Sequence, residues 1–281
     1  MFLRFKFSIS TVFVLAVAVS SAAAQGTQIV TRPKNDKPES AKPAPTPTPD
    51  LKDPGKANTA EQVIDSSLFI YGFGGGRATL NQIRKTTFER GKMSIIGQNG
   101  KAEPVNYQRW IIRGESLANE KIRLDQEFPS SRYGLIMDQE NVIGVYNNTA
   151  FTPRDEVIKN FESTIYHGLE ALFRYKENES TVELAGRDKE MGVDYYMVDV
   201  TDKKARKTRF YVSVKSLRVL MLTYEDDGVK YKRKFYDQRY AQGTLVPYRS
   251  VLTADGKVVE EQDISSITFG QKVDEDLFKV G

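Results

Sequence analysis

The spacing of apolar residues predicts that the folded part of the chain begins with a helix. Thr59 followed by Gln62 is a capping-box pattern, and apolar residues then recur at helical intervals over residues 60–71. The glycine-rich run 72–76 ends this helix, and a second helical turn is expected over residues 80–83. Because the glycine run follows a helix and not a strand, it is typical of a helix cap and not of a phosphate-binding loop.

From residue 85 onward the apolar period changes to two, which is typical of half-buried strands. The predicted strands lie near residues 86–97, 105–115, 119–128, 132–138, 141–147, 181–188, 193–201, 206–214, 217–225, 229–240, 246–254 and 257–269. Short glycine-containing pairs separate the last strands, at Asp227-Gly228, Gln242-Gly243 and Asp255-Gly256. Such pairs are signals of tight hairpins, so they favour an antiparallel meander.

One amphipathic helix is predicted between the two blocks of strands. Thr152 is expected to cap it and Pro153 to occupy its first position. A single apolar stripe then runs down about 20 residues of helix. The stripe consists of Ile158, Phe161, Ile165, Leu169 and Leu172. His167 lies away from the stripe, and we expect it to face solvent.

These elements predict an α+β fold. About 12 strands exceed what a flat open sheet usually carries, so the sheet is expected to curl. Two helices cannot cover two separate sandwich cores, but they can cover one curved sheet. We therefore predict a strongly curved antiparallel sheet, an unclosed half-barrel of about 11–12 strands, with helices that form a plug or lid.

The apolar face of this sheet is the candidate binding site. A curved sheet of this size encloses more interior than two helices readily fill, and a leftover apolar cavity can hold a hydrophobic ligand. An ordinary filled core is the alternative for many of these positions. The candidate ligand-binding residues of the cavity and lid are Trp110, Ile112, Leu124, Phe128, Ile143, Val145, Ile158, Phe161, Ile165, Leu169, Leu172, Leu220, Leu222, Tyr231, Phe235 and Tyr248.

The first 56 residues have a different character. Residues 1–24 combine a basic start, a short apolar stretch and an Ala-Ala-Ala cleavage site, which together indicate a secretory signal cleaved after Ala24. The apolar stretch is shorter than the roughly 20 residues of a membrane span. Residues 25–56 hold many of the chain's 11 prolines and few apolar residues, so we expect a disordered spacer. The folded domain is then 57–281.

Composition narrows the function further. The excess of 41 Lys and Arg over 37 Asp and Glu lies in the first 56 residues, so the folded part is near neutral, which argues against nucleic-acid binding. The absence of cysteine excludes disulfides, cysteine-ligated metals and thiol nucleophiles. The single His167 excludes a multi-histidine metal site, and no nucleophile-elbow serine accompanies it. We expect no cofactor and no enzymatic activity.

Two kinds of charged cluster have alternative interpretations. A pair of carboxylates could serve glycoside hydrolysis, but these acids alternate with apolar residues as on the wet face of a sheet. The acids are Asp125, Glu127, Glu260, Glu261 and Asp263. The basic clusters 203–209 and 230–234 fit a solvated outer face, or contact with anionic lipid headgroups or a partner.

Several segments carry local patterns besides the alternation of apolar residues. These are the tryptophan-bearing strand Tyr107–Gly114, the strand segments Gly192–Val198, Arg209–Val212 and Ser216–Val219, and the closing segments Ile264–Ile267 and Val273–Phe278. Together with the order of elements over residues 57–281, they resemble the LolA-like superfamily of periplasmic lipoprotein carriers. The Pro-rich spacer is not part of the family's pattern.

The resemblance implies an unclosed barrel whose concave apolar face takes acyl chains of lipids or lipoproteins. We therefore expect a periplasmic carrier or sensor that acts as a monomer, possible envelope protein partners, and a role in sorting lipoproteins to the outer membrane. The helix stripe is expected to belong to a mobile lid. The alternative is an envelope protein-interaction module with a filled core.

Overall fold

The computed structural model describes residues 58–97 and 100–280. The helices in these ranges are α1 (Ala60–Tyr71), α2 (Gly76–Ile83), α3 (Asp155–Tyr166) and α4 (Leu169–Phe173), with short 3₁₀ turns at Leu117–Asn119 and Glu275–Phe278. The predicted signal segment 1–24 and spacer 25–56 lie outside the described residues and stay predictions.

Thirteen strands form one sheet in the described residues. They are β1 (Thr86–Ile96), β2 (Ala102–Ile112), β3 (Lys121–Glu127), β4 (Arg132–Asp138), β5 (Asn141–Tyr146), β6 (Thr149–Phe151), β7 (Thr181–Glu190), β8 (Val193–Thr201), β9 (Lys207–Ser213), β10 (Val219–Asp226), β11 (Val229–Ala241), β12 (Thr244–Ala254) and β13 (Lys257–Phe269). Strand β6 is additional to the prediction, because Asn147 and Asn148 turn the chain back with positive φ angles.

The strand order is β6-β5-β4-β3-β2-β1-β13-β12-β11-β10-β9-β8-β7, and every neighbouring pair is antiparallel. Strands β1–β6 form an N-terminal arm and β7–β13 a C-terminal arm, joined where β1 pairs with β13. Strands β6 and β7 remain at opposite edges. The predicted curved, unclosed antiparallel sheet is confirmed.

The three predicted hairpin turns are confirmed. Both residues of Asp227-Gly228, Gln242-Gly243 and Asp255-Gly256 have φ between 47° and 82°. Two successive positive φ angles give a turn whose twist matches that of the flanking strands. Glycine at the second position adopts this conformation without a clash of Cβ.

Helix α1 begins as the sequence predicts. Thr59 Oγ1 accepts a hydrogen bond from the Gln62 backbone N–H, and Gln62 Oε1 accepts one from the Thr59 N–H, at 3.3 and 2.9 Å. This capping box satisfies backbone donors that have no partner inside the helix. Gly72 ends the helix, so the glycine run acts as a cap and turn.

The predicted long helix is wrong in its start and its continuity. Helix α3 begins at Asp155 with Arg154 at the N-cap, and not with Thr152 as the capping residue. It ends at Tyr166, and Gly168 adopts an extended conformation with ψ of 176° before α4 begins. The apolar stripe is therefore divided between two helices.

The break in the helix coincides with the burial of His167, which was predicted to face solvent. His167 is only 6% exposed, and its ring stacks on that of Tyr224 with centroids 4.0 Å apart. Its Nδ1 lies 2.6 Å from Thr208 Oγ1. Burial lowers the pKa of His167 to about 4, so the ring is neutral at physiological pH.

Apolar packing covers both faces of the N-terminal arm but divides the core into three clusters. The main core packs α1 and α4 against strands β8–β12. A second cluster packs α3 against β3–β5 on the same face. A third cluster lies on the opposite face, where Phe278 of the C-terminal segment packs against Ile136 and Val145.

A network of buried charges holds the helices to the sheet. The Glu170 carboxylate of α4 accepts hydrogen bonds from Arg84, which ends α2, and from Arg113, which follows β2, at 2.6 and 2.5 Å. Arg84 also donates to Thr244 Oγ1 and the Leu245 carbonyl of β12. Burial acts to raise the pKa of Glu170, but the two arginines lower it to about 2.

Replacing Glu170 with glutamine should destabilise the fold strongly. Arg84 and Arg113 would then be buried without their carboxylate, so we expect the free energy of unfolding to fall by about 3 kcal/mol at pH 7. Urea unfolding followed by circular dichroism measures the change. Glu275→Gln is the matched control, because its ion pair with Lys121 is exposed, and it should leave the urea midpoint unchanged.

The pH dependence tests the same network. Since the pKa of Glu170 is lower in the folded protein than its ordinary value of 4.5, its contribution is complete above that pH and is lost as the pH falls toward 2. The difference in stability between the wild type and Glu170→Gln should therefore shrink over this range. A difference that stays constant would contradict the assignment.

Candidate functional site

Helix α3 lies over an apolar floor on the concave face of the N-terminal arm. Phe161 of α3 is buried against Ile122, Leu135 and Met137. The floor consists of Ile111, Ile122, Leu124, Leu135, Met137 and Val142. Directly opposed residues of antiparallel strands share a face, and the floor follows such pairs, Ile122 with Met137 and Leu124 with Leu135.

The same helix reaches the other arm through polar contacts. Ser163 Oγ donates a hydrogen bond to Tyr224 Oη of β10 at 3.1 Å, and Lys159 pairs with Asp227 in the β10–β11 turn at 2.8 Å. The Lys159–Asp227 pair is exposed to solvent and contributes little. Helix α3 therefore bridges the two arms, with apolar packing on one side and weak polar contacts on the other.

Helix α3 is packed less completely than α1. Phe161 and Tyr166 are its only buried residues, whereas six residues of α1 are buried. Val157, Ile158 and Ile165 are half-buried. A helix whose apolar side is only partly covered loses fewer contacts when it moves away than a fully packed helix does. That α3 belongs to a mobile lid stays a prediction.

A buried polar cluster borders the apolar floor. The Glu89 carboxylate, whose side chain is 2% exposed, accepts hydrogen bonds from Tyr107 Oη and Arg109 Nη2, both at 2.8 Å, and from Gln262 Nε2 at 3.2 Å. We call these four residues the polar border. Arg109 is paired in register with Leu124, so the polar border adjoins the floor directly.

Arg109 retains hydrogen-bonding capacity within this border. Its Nε is buried and has no hydrogen-bond partner in the described part of the chain, while 30% of its side chain is accessible. Burial acts to lower the pKa of Arg109, but Glu89 and Tyr107 more than offset this, so the pKa lies above its ordinary value. The guanidinium is therefore a permanent cation beside an apolar surface.

Several predicted site residues are brought together on α3 and on the sheet beneath it. Leu124, Phe161 and Ile165 belong to the cluster formed by the helix and the floor. Ile158 lies half-buried on the same helix. Phe128 stacks on Tyr133, which packs against this cluster, with ring centroids 5.5 Å apart.

Other predicted residues lie in the main core, which α1 and α4 fill. Leu172, Leu222 and Phe235 are buried there, and Leu169 and Tyr231 pack against it. The main core therefore fills the space that the predicted cavity would need at these positions, and the cavity stays a prediction for the residues at α3.

The two remaining residues of the C-terminal arm are half-buried. Leu220 lies at an irregularity in the pairing of β10, and Tyr248 lies under the guanidinium of Arg239 at 4.1 Å.

The predicted placement of Trp110, Ile112 and Val145 on the concave face is wrong. They pack with Phe278 and its neighbours on the opposite face. Ile143, paired with Ile136, lies on that face too and is 40% exposed. The C-terminal segment covers this second face, so apolar residues occur on both faces of these strands. Alternation alone therefore cannot show which of the two faces is concave.

Sequence reasoning missed the polar border. Glu89 stands in a strand where charged residues occur at both parities, and Arg109 stands in a strand where apolar residues occur at both parities, so neither residue is distinguished as inward-facing. Their pairing depends on the register of β1 against β2, in which Glu89 lies opposite Arg109. An acid and a base at matched positions of adjacent strands is the signal that could have found them.

The other candidate sites carry ordinary ion pairs. Asp125 pairs with Arg123, Glu260 with Arg233, and Glu261 with Arg249, at 2.8–3.0 Å. Basic residues of the cluster 203–209 pair with acids such as Asp199, and Lys232 and Lys234 pair with Glu190. The described ranges hold no group of three or more metal-ligating side chains.

Two surface cavities, of about 370 and 240 Å³, lie away from the apolar floor. Both are lined by Lys92, Asn106 and Glu127, whose register places them on the face opposite α3. Charged and amide side chains of this kind do not suit an acyl chain.

Removing the hydroxyl of Tyr224 should loosen α3. Tyr224→Phe deletes the acceptor for Ser163 and keeps the aromatic ring, so about 1 kcal/mol of local stability is lost. We expect amide hydrogen exchange in residues 155–166 to become about fivefold faster. Tyr231→Phe, on the ring that stacks against Tyr224, is the control. Equal exchange in both variants would show that this contact does not hold α3.

None of the helices in the described ranges has both the length and the apolarity that a bilayer crossing requires.

Comparison with known proteins places the fold. No protein-family model and no curated protein matches the sequence. A DUF1329 family protein from Desulfovibrio piger matches the structure with a TM-score of 0.56 and 13% identity, covering 78% of this chain and 97% of that chain. The LolA superfamily protein NE2245 from Nitrosomonas europaea matches with a TM-score of 0.54 and 13% identity, covering 79% and 99%. At this identity the likeness is one of fold, and the described residues have the LolA-like fold.

Proposed function

We propose that this protein binds an acyl chain of a lipid or lipoprotein between α3 and the apolar floor, as a carrier or sensor in the periplasm. The observation that carries the proposal is the incomplete packing of α3 over an apolar surface on the concave face. The LolA-like fold and the predicted secretory signal support it. The protein acts by binding and release, without catalysis.

The energetics fit a carrier. Burial of one methylene contributes roughly 0.8 kcal/mol, so a 16-carbon chain gains on the order of 12 kcal/mol before the costs of binding. A mobile lid offsets part of this gain, because α3 must leave its contacts with the floor for the chain to enter. The net affinity is therefore smaller than the gross gain, which is what a carrier that also releases its ligand requires.

The proposed site is smaller than the whole concave face. The main core leaves the C-terminal arm filled by α1 and α4, so the acyl chain lies along the N-terminal arm. Phe161 and Ile165 would then contact the chain from above, and Leu124 and Leu135 from below.

Native mass spectrometry tests the proposal. The protein is expressed with its predicted signal segment in an exporting host and purified without detergent. A bound mass that matches a lipid or an acylated peptide supports the carrier. A clean unliganded mass, together with failure to take up a fluorescent fatty acid, favours the protein-interaction module, which predicts instead a pulldown that depends on residues 25–56.

A charge placed on the floor should abolish binding. Leu124→Glu puts a carboxylate among apolar residues at a half-buried position, and we expect the affinity for a fluorescent 16-carbon fatty acid to fall at least about tenfold. Ile143→Glu is the matched control, because it places a carboxylate at an exposed position on the opposite face and leaves the floor intact. Equal loss in both variants, or no loss in Leu124→Glu, contradicts binding on the floor.

A further inference from the structure

The polar border is an unexpected feature of a surface that binds acyl chains. A buried ion pair carries a desolvation penalty that well-packed apolar residues of similar volume would avoid. Glu89 and Arg109 nevertheless lie side by side with their neighbours at the edge of the floor. If the cluster served only to stabilise the fold, each of its hydrogen-bond donors and acceptors would be expected to have a partner. At least one donor has none within the described residues.

The unpaired group in the polar border is a hydrogen-bond donor. The Glu89 carboxylate already accepts three hydrogen bonds, from Tyr107, Arg109 and Gln262. Arg109 uses Nη2 for Glu89, whereas its Nε is buried and unpartnered within the described residues, and another part of its side chain is accessible. The border is therefore complementary to an acceptor, and an ammonium group finds no free carboxylate oxygen there.

From this geometry we propose that Arg109 binds the oxyanion of a single-chain amphiphile, a carboxylate or a phosphate, whose acyl chain lies on the apolar floor under α3. An arginine fork binds both groups in the same way, through paired N–H donors. The inference rests on the proposed function and names the class of ligand.

The register of the sheet sets the direction of this ligand. Arg109 lies opposite Leu124, and Leu124 lies opposite Leu135 one strand further out. A headgroup held by Arg109 is therefore at the junction of the two arms. The chain extends from there across β3 and β4, beneath Phe161.

Among the described residues, the carboxylates near Arg109 are all paired, so none is left to repel an anionic ligand. Glu89 forms an ion pair with Arg109 itself. Glu260, further along the concave face, is neutralised by its own ion pair with Arg233 at 2.9 Å. Glu120 is bound to Arg174 in a buried pair. An incoming oxyanion thus meets carboxylates that already have cationic partners.

Three ligands with the same chain test the proposal on the intact protein. Palmitate, hexadecyl phosphate and hexadecanol carry a carboxylate, a phosphate and a neutral hydroxyl on 16 carbons. We expect at least one anion to bind about tenfold or more tightly than hexadecanol, and the ranking of palmitate and hexadecyl phosphate identifies the headgroup. Equal affinities for all three overturn the headgroup site and leave the acyl site standing. Failure of all three to bind contradicts the proposed function itself.

Two variants assign the discrimination to Arg109. Arg109→Gln alone would leave Glu89 buried without its cation and could unfold the protein, so it is combined with Glu89→Gln. We expect the double variant to bind hexadecanol as the wild type does and to bind the preferred anion no more tightly than hexadecanol. Arg109→Lys keeps the charge without the fork and should retain part of the preference.

The control is Arg132→Gln, which removes an exposed guanidinium from the opposite face and should leave the preference unchanged. A double variant that is folded and still prefers the anion overturns the proposal.

Discussion

The carboxylate of Glu170 is the interaction on which the arrangement of helices depends. It joins Arg84 and Arg113, and through Arg84 it reaches β12. One half-buried acid therefore ties α2 and α4 to the end of β2 and to β12. The opposing charges are desolvated, so the contact tolerates little displacement, and the position of α4 relative to the sheet is fixed.

The position of α4 determines what α3 can do. Because α4 is anchored and Gly168 separates the two helices, α3 is a separate element that extends from the main core over the concave face of the N-terminal arm. His167 holds the end of α3 against β10 through its stack on Tyr224. The remainder of α3 lies on the floor with only partial burial. The anchored helix α4 and the loosely packed helix α3 thus meet at Gly168. In the proposed function, α4 belongs to the filled C-terminal arm and α3 to the N-terminal arm that binds the ligand.

Much of the fold follows from local signals in the sequence. The capping box at Thr59, the Asp-Gly turns and the alternating strands act over a few residues, so the sheet and its antiparallel order could be predicted. The break after α3 could not, because His167 is buried by contacts with Thr208 and Tyr224, which are distant in sequence. An amphipathic stripe that continues through a break looks the same in sequence as one continuous helix.

The site was only partly predictable for a related reason. Alternation identifies a buried face only where the other face is wet. The C-terminal segment covers the second face of β2–β5, so Trp110 and Leu124 both look like inward residues although they lie on opposite sides of the sheet. The pairing of Glu89 with Arg109 depends on the register of two strands. The face and the register come from the packing of the whole chain.

Photo-crosslinking with a 16-carbon fatty acid that carries a diazirine on its chain tests most directly whether an acyl chain lies between α3 and the floor. The crosslinked protein is digested and the labelled peptides are identified by mass spectrometry. The account predicts label in residues 121–138 and 155–166, suppressed by excess unlabelled fatty acid. Competed label confined to the C-terminal arm or to residues 271–280 on the opposite face would contradict it.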